Sequence, residues 1–345
     1  MKHPLTFSEL EDEFGLTCPN LKAAQTFSEQ RIEEISSSLE EHPSFKVAHQ
    51  SGFGWIVTGS LGRLEALEAS DIDLGLLIPT GIKPNAPDVV DLDQSMRKHL
   101  STSLGVKVSK GKNLTSPTSI DELTDKHRIG GDRDTVAYLT KRALLLTESR
   151  AAANPEVHDS FREALFDAFF QADQTKGRSL LSLVNDIARY YRTLCLDYKS
   201  RVDSEGKPWA VRNLKLRHTR KYWFFSSMLT MVAAAALYEH SLEQAEAEVK
   251  RRFAQTPTER LLWALSIADL SHHSSIVCWY DLFLGLIGNP ELRAELDYVK
   301  HSERYDSRPF RTLKENSDSL HLAMVEIIEA LPPNWKRHLI SHFLL

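Results

Sequence analysis

Apolar residues recur at two different periods along this 345-residue chain, and the change of period divides it. From Leu21 to Leu39 they fall near helical spacing among Glu, Gln and Ser, and His42-Pro43 ends the run, which predicts an N-terminal helix. Gly54-Trp55-Ile56-Val57-Thr58 is a short, partly β-branched apolar run that stops at Gly59-Ser60. Leu61 to Ala69 returns to helical spacing, and Asp71 to Ile78 reads as a second strand. The predicted unit is therefore strand, glycine turn, short helix, strand. After a loop from Pro79 to Pro87, Asp91 to Leu104 reads as a helix and Val106 to Ser109 as a third, shorter strand. A polar stretch from Lys110 to Ser119 leads into Ile120 to His127. The turn Gly130-Gly131-Asp132-Arg133-Asp134 follows, with an Asp or Thr cap ahead of a helix from Val136 to Arg150.

Beyond that point strand signals nearly vanish. Residues 157–172, 179–200, 209–240, 242–254, 257–287, 290–301 and 317–344 all show helical spacing, with breaks at Gly177, Gly206, Thr256-Pro257 and Asn289-Pro290. The expectation is an α+β domain over 1–150 followed by an all-α helical-bundle domain over 151–345, with the boundary near Ala151 to Pro155.

Composition narrows the function classes. With 42% apolar and 26% charged residues the chain sits among soluble globular proteins, and its most apolar run, Met228 to Tyr238, is too short to span a bilayer. Forty-two Lys plus Arg against forty-seven Asp plus Glu leave a net charge of -5, which removes any global electrostatic reason to bind nucleic acid. Cys18, Cys195 and Cys278 are odd in number and far apart, so they write neither a disulfide framework nor a zinc knuckle. The first residues lack the apolar core of a secretory signal, and the cytoplasm is the expected compartment. No feature of the chain specifies an oligomeric state.

The chemistry concentrates in Val57-Thr58-Gly59-Ser60-Leu61-Gly62-Arg63-Leu64-Glu65 and, five residues beyond Glu65, Ser70-Asp71-Ile72-Asp73-Leu74. Gly59 and Ser60 end a buried strand where free backbone N–H groups and a small side chain suit a close phosphate. Period two sends the Asp71 and Asp73 carboxylates to one face of the next strand while Ile72 and Leu74 enter the core. Two hard oxygen donors on one face suit Mg2+ (or Mn2+). Ten residues between Ser60 and Asp71 let the chain return on the neighbouring strand, so phosphate cradle and metal pair converge. A metal–nucleoside triphosphate held there would offer its α-phosphate to an attacking hydroxyl, which is nucleotidyl transfer. Arg63, with five fixed donors, is a candidate phosphate contact, the alternative being an ion pair with Glu65 or Glu68. Glu65 would repel a triphosphate and is expected to hold Arg63 or a backbone donor.

Gly59-Ser60, ten residues, then Asp71-Ile72-Asp73 resembles the signature of the DNA polymerase β-type nucleotidyltransferase superfamily. Gly-Ser-x-Gly-Arg-x-Glu before Ser-Asp-x-Asp is most similar to its bacterial PII-uridylyltransferase-like branch. The likeness is sharp over Gly54 to Ile78 and looser over Asp134 to Arg150 and Asn185 to Lys221. It implies a small mixed sheet flanked by helices, with Asp71 and Asp73 as catalytic metal ligands and Gly59, Ser60 and Arg63 at the nucleotide. It further implies transfer of a nucleoside monophosphate to a protein, RNA or small-molecule acceptor with release of pyrophosphate. Active members carry a third carboxylate on a following strand, but Val106 to Ser109 offers Lys107 and no acid. The next carboxylates, Asp121, Glu122, Asp132 and Asp134, include helix-cap acids, so the third ligand is unassigned. A nucleotide-binding regulatory or toxin–antitoxin-type module with weak or no transfer activity is the alternative.

In the helical half, Arg212, Lys215, Arg217, Arg220 and Lys221 form a positive stripe on an acidic chain. Arg212 and Lys215 are candidate acceptor or phosphate contacts. Trp209, Tyr222 and Trp223 are read as core aromatics before base-stacking ones, and Asn185, Arg189 and Arg192 as cleft or interhelical polar groups. Arg212 with His218 also resembles the loose Arg-x(4-6)-His spacing of HEPN ribonucleases. His272-His273 has no partner at metal-ligand spacing and reads as a structural feature.

Overall fold

The computed structural model describes residues 6–110, 115–125, 127–129, 134–174, 180–205 and 208–344; Gly130, Gly131, Asp132, Arg133, Gly177 and Gly206 lie outside them. The chain folds as two compact units, Ala23–Asp186 and Ile187–Leu345 with Met1–Lys22.

The first unit is built on a mixed four-stranded sheet of order β3-β2-β1-β4, where β1 is Gly54–Thr58, β2 Leu74–Ile78, β3 Thr118–Ser119 and β4 Ser149–Ala153. β1 runs antiparallel to both β2 and β4, and β3 is parallel to β2. All residues of β1 and β2 are buried, as befits strands covered on both faces. Trp55, Val57, Leu74, Leu76 and Ile78 point to one face. There they pack with Ile35 and Leu39 of the helix Pro19–Glu40 and with Met96 and Leu100 of the helix Pro87–Leu104. Each such side chain contributes about 1.5–3 kcal/mol by leaving water. The opposite face, with Ile56, Thr58, Gly75 and Leu77, lies under Leu144 and Leu145 of the helix Val136–Thr147.

Three local expectations change. Leu61 to Ala69 is a succession of turns instead of a helix: Arg63 N donates to Gly59 O (3.0 Å), Glu65 N to Ser60 O (2.8 Å), and Leu64 takes a left-handed φ of 58°. The helix-like spacing arises because Leu61, Leu64 and Ala66 all enter the core from an irregular loop. The third strand shrinks to one parallel bridge, Ile72 to Val108. Strand β4 occupies a stretch, Ser-Arg-Ala-Ala-Ala, whose alanines favour a helix in isolation; pairing with β1 overrides that preference.

The units consequently divide away from residue 150. The helix Pro155–Gln174 stays with the sheet, where Val157 packs on Gly54 and Arg162 Nη1 donates to the carbonyls of Leu145 and Leu146 at 2.9 and 2.7 Å. At the other end, the Asp281 carboxylate accepts from Leu21 N and Asn20 Nδ2, both at 2.8 Å, which ties the start of Pro19–Glu40 to the second unit.

The second unit is helical. Its helix Lys221–Leu237 is buried over nearly its whole circumference, as an element apolar on every side must be. The runs expected over 257–287 and 317–344 are each interrupted. Asp269, at φ 59°, separates Pro257–Ile267 from Ile276–Gly288, and Leu331-Pro332 separates Arg308–Ala330 from Pro333–Leu339. Among the described residues no helix is long and apolar enough to cross a membrane.

Candidate functional site

The acid pair forms as strand periodicity requires. Ile72 is held between two backbone bonds, its N–H to Lys107 O (2.9 Å) and its carbonyl to Ser109 N–H (2.8 Å), while Asp73 O accepts from Thr58 N (2.9 Å). That keeps 71–73 extended as a lead-in to β2. Ile72 and Leu74 are buried, so the side chains of Asp71, which is exposed, and Asp73, which is half-buried, share the other face. This face continues through Gly75 and Leu77 into the small cavity under Val136–Thr147.

The glycine turn meets the acids directly. Gly59 adopts a φ of +67°, and a Cβ placed on it would stand 3.2 Å from Asp73 Oδ2. The left-handed conformation favours glycine, and the carboxylate beside its α-carbon leaves little room for a side chain. Gly62 is equally constrained, since a Cβ there would collide with the Glu148 carbonyl oxygen at 1.9 Å. Ser60 is half-buried. Among the described residues no group accepts a hydrogen bond from the backbone N–H of Ser60, Leu61 or Gly62. Three successive backbone donors without an acceptor among the described residues thus follow the left-handed glycine, although Leu61 and Gly62 are themselves buried.

Arg63 is placed differently from a phosphate contact. Its guanidinium is only 4% exposed; Nε donates to Glu65 Oε2 (2.7 Å) and Nη1 to Glu148, itself wholly buried. The expected partner Glu65 is found, but in the interior, where the three groups clamp the turn to the residue before β4. A buried pair of this kind resists loss of either partner far more than a surface one.

Three of the four candidates for a third acid are engaged elsewhere, and the fourth, Asp132, lies outside the described residues. Asp121 Oδ2 accepts from Gly81 N (3.2 Å) and Glu122 Oε1 from Tyr138 Oη (3.1 Å). The buried Asp134 pairs with Arg142 (2.7 Å), which also binds Asp186 (2.7 Å). Among the described residues no group of three His, Cys, Asp or Glu is arranged for a metal ion. Two carboxylates on one face do fit a Mg2+ that keeps waters and takes further oxygens from a polyphosphate.

Two lysines that the sequence reading did not assign belong to this face. Lys107 Nζ lies 2.9 Å from Asp71 Oδ2. Lys141 lines the cavity, where its ammonium donates to Pro117 O (3.2 Å) and burial lowers its pKa, with Glu122 opposing. A Ser–His–Asp series also appears, Ser149 Oγ to His158 Nε2 at 2.8 Å and His158 Nδ1 to Asp159 at 3.6 Å, yet it is not a nucleophile's relay. Ser149 Oγ donates its proton to Leu145 O (2.7 Å), so the imidazole is the donor to the hydroxyl, and burial holds His158 neutral with a pKa of about 3.

In the helical unit the basic stripe lies on the helix Trp209–Lys215, the π-helical turn Leu216–Arg220 and the start of Lys221–Leu237. Arg212 is half-buried and Lys215 exposed; Arg217 Nε donates to Asn213 Oδ1 (2.8 Å). Asn185 and Arg192 are exposed and Arg189 half-buried. Tyr222 and Trp223 are core residues, with Tyr222 stacked on Tyr280 and Trp223 edge-on to Tyr190. Trp209 sits against His301 and Phe310. His218 is fully buried, stacked 4.0 Å from Phe283 and bound to Leu214 O and Asn316 Oδ1 at 2.8 and 2.9 Å. Burial first, then Lys221 and Arg217, bring its pKa down to about 4. A histidine so enclosed meets no RNA strand, which removes the residue on which the ribonuclease spacing depended. His272 and His273 occupy a short 3-10 turn with rings 4.3 Å apart. Compared with family models the chain matches none, and no curated protein is significantly similar to it.

Proposed function

We propose that this protein is a nucleotidyltransferase of the DNA polymerase β type, transferring a nucleoside monophosphate from a triphosphate to a protein, RNA or small-molecule hydroxyl. The observation that carries the reading is the meeting of Gly59 with Asp73: a left-handed turn, whose next three backbone donors have no acceptor among the described residues, lies against one carboxylate of a same-face acid pair. The N–H groups of Ser60, Leu61 and Gly62 would bind polyphosphate oxygens, and Asp71 and Asp73 would hold Mg2+ or Mn2+. The ion, when bound, supplies charge neutralisation on phosphate oxygens. Arg63 acts at one remove by fixing the turn through Glu65 and Glu148. In the reaction the acceptor oxygen bonds to the α-phosphorus, the bridging bond to the β-phosphate breaks with its electron pair leaving on pyrophosphate, and the acceptor proton passes to water.

The test supplies Mg2+ and each α-labelled triphosphate with cell extract and follows label into protein, RNA or small products. Label transfer by the wild type that disappears in Asp71→Ala plus Asp73→Ala is expected; equal background in both overturns the reading. Two observations favour a second reading, a nucleotide-binding regulatory module: among the described residues no third acid joins the pair, and a lysine is bound to Asp71. Calorimetry showing tight triphosphate binding without pyrophosphate release, whatever the acceptor, would select it.

A further inference from the structure

The segment alongside the acids carries a cation where a third acid was sought. The paired backbone bonds through Ile72 fix 107–109 parallel to 71–73, so the position of Lys107 is set by strand register as well as by side-chain attraction. Its Nζ reaches Asp71 Oδ2 at 2.9 Å, with the lysine 77% and the aspartate 49% exposed. Such a pair faces solvent and is easily exchanged. A lysine ammonium is a compact charge on a flexible four-carbon stem, able to move between neighbouring anions. A second divalent ion would demand more oxygen ligands than two aspartates supply, and the described residues offer no third.

We infer that Lys107 is a resident counter-cation at the Asp71 end of the acid pair, holding Asp71 in the free protein and turning to the polyphosphate when a metal–triphosphate binds. A tethered, mobile ammonium thereby takes the electrostatic place of a second metal ion. This rests on the reading of the acid pair as a metal–triphosphate site.

Mn2+ alone, titrated into the full chain and followed by electron paramagnetic resonance, separates the two ideas. Lys107→Glu replaces the competing cation by a third carboxylate and is expected to tighten Mn2+ binding about tenfold or more. Lys107→Ala, which only removes an exposed competitor, tightens it about threefold. With Mn2+ and a non-hydrolysable triphosphate together, Lys107→Ala binds the nucleotide about tenfold more weakly, while Lys107→Arg stays near wild type. If Lys107→Glu leaves Mn2+ affinity unchanged while Asp71→Asn plus Asp73→Asn abolishes it, Lys107 stands outside the cation site and this inference fails alone. If the double asparagine variant binds Mn2+ as well as wild type, the acid pair holds no metal and both ideas fall.

Discussion

In the unit Ala23–Asp186, Asp71 and Asp73 stand on the open end of a strand whose other face is core, whereas in the unit containing Ile187–Leu345 the polar candidates His218 and Tyr222 are wholly enclosed. Both regions place polar residues among apolar ones, so composition does not distinguish them. The difference is one of period. A strand sends alternate residues to opposite faces, and Asp71-Ile72-Asp73-Leu74 can bury two side chains while presenting two. The helix Lys221–Leu237 is packed all round, and a polar group there must be satisfied inside: Tyr222 Oη donates to Thr258 Oγ1 (3.2 Å), and the neighbouring neutral His218 has one ring N–H to donate, with Leu214 O beside Nδ1 and Asn316 Oδ1 beside Nε2. Polar residues in the sheet unit are therefore available for chemistry where the pleat runs out of cover, and those in the helical core serve packing.

The sharpest way to break this contrast is Arg63→Met. It removes the buried guanidinium that Glu65 and Glu148 share, and a loss of about 3–5 kcal/mol is expected, against little change for Asp71→Asn. Hydrogen exchange should locate the loss in β1, β2 and β4, with the helices of the second unit protected as before. A uniform loss across both units would show that the clamp does not belong to the sheet unit alone.

The helical core responds instead to acid. His218 has an ordinary value of 6.5 and a folded value of about 4, so the unfolded chain binds its proton more tightly. Its contribution is complete above pH 6.5 and is lost as pH falls toward 4, on the order of 2–3 kcal/mol. His158, at about 3, acts in the same direction in the sheet unit. Urea unfolding between pH 7 and 4 should show a slope that His218→Gln reduces; an unchanged slope would mean that the ring is not held neutral.

Gly59→Ala tests the turn itself. A left-handed φ imposed on an L-residue costs about 1–2 kcal/mol, and the added methyl presses on the Asp73 carboxylate. Modest destabilisation with complete loss of triphosphate binding is expected by calorimetry; retained binding would detach the turn from the acids. Lys107→Ala, which removes an exposed pair, should alter thermal stability by less than about 1 kcal/mol.

Much of the sheet unit was legible beforehand because its signals are local. The run Gly54–Thr58 is recovered with the same limits, and the alternation at Asp71 to Leu74 implies the shared face found in the fold. Helix limits are legible where proline and capping residues mark them, as at Thr256-Pro257. What escaped was non-local. The alanines of Ser149–Ala153 carry no strand signal of their own, and no spacing announces that Arg63 will find Glu148, 85 residues away. The neighbourhood of Lys107 and Asp71 likewise depends on a single parallel bridge.

The sequence by itself determined strand β1, the helices bounded by proline and capping residues, the acid pair's common face and the glycine that must precede it, since these follow from backbone sterics and side-chain period over a few residues. Tertiary structure alone decided that Arg63 turns inward, that β4 joins the sheet, that His218 is sealed in the core and that a lysine meets Asp71. Those outcomes depend on which distant groups share the low-dielectric interior or a strand edge, and pairings between remote segments leave no periodic trace along the chain.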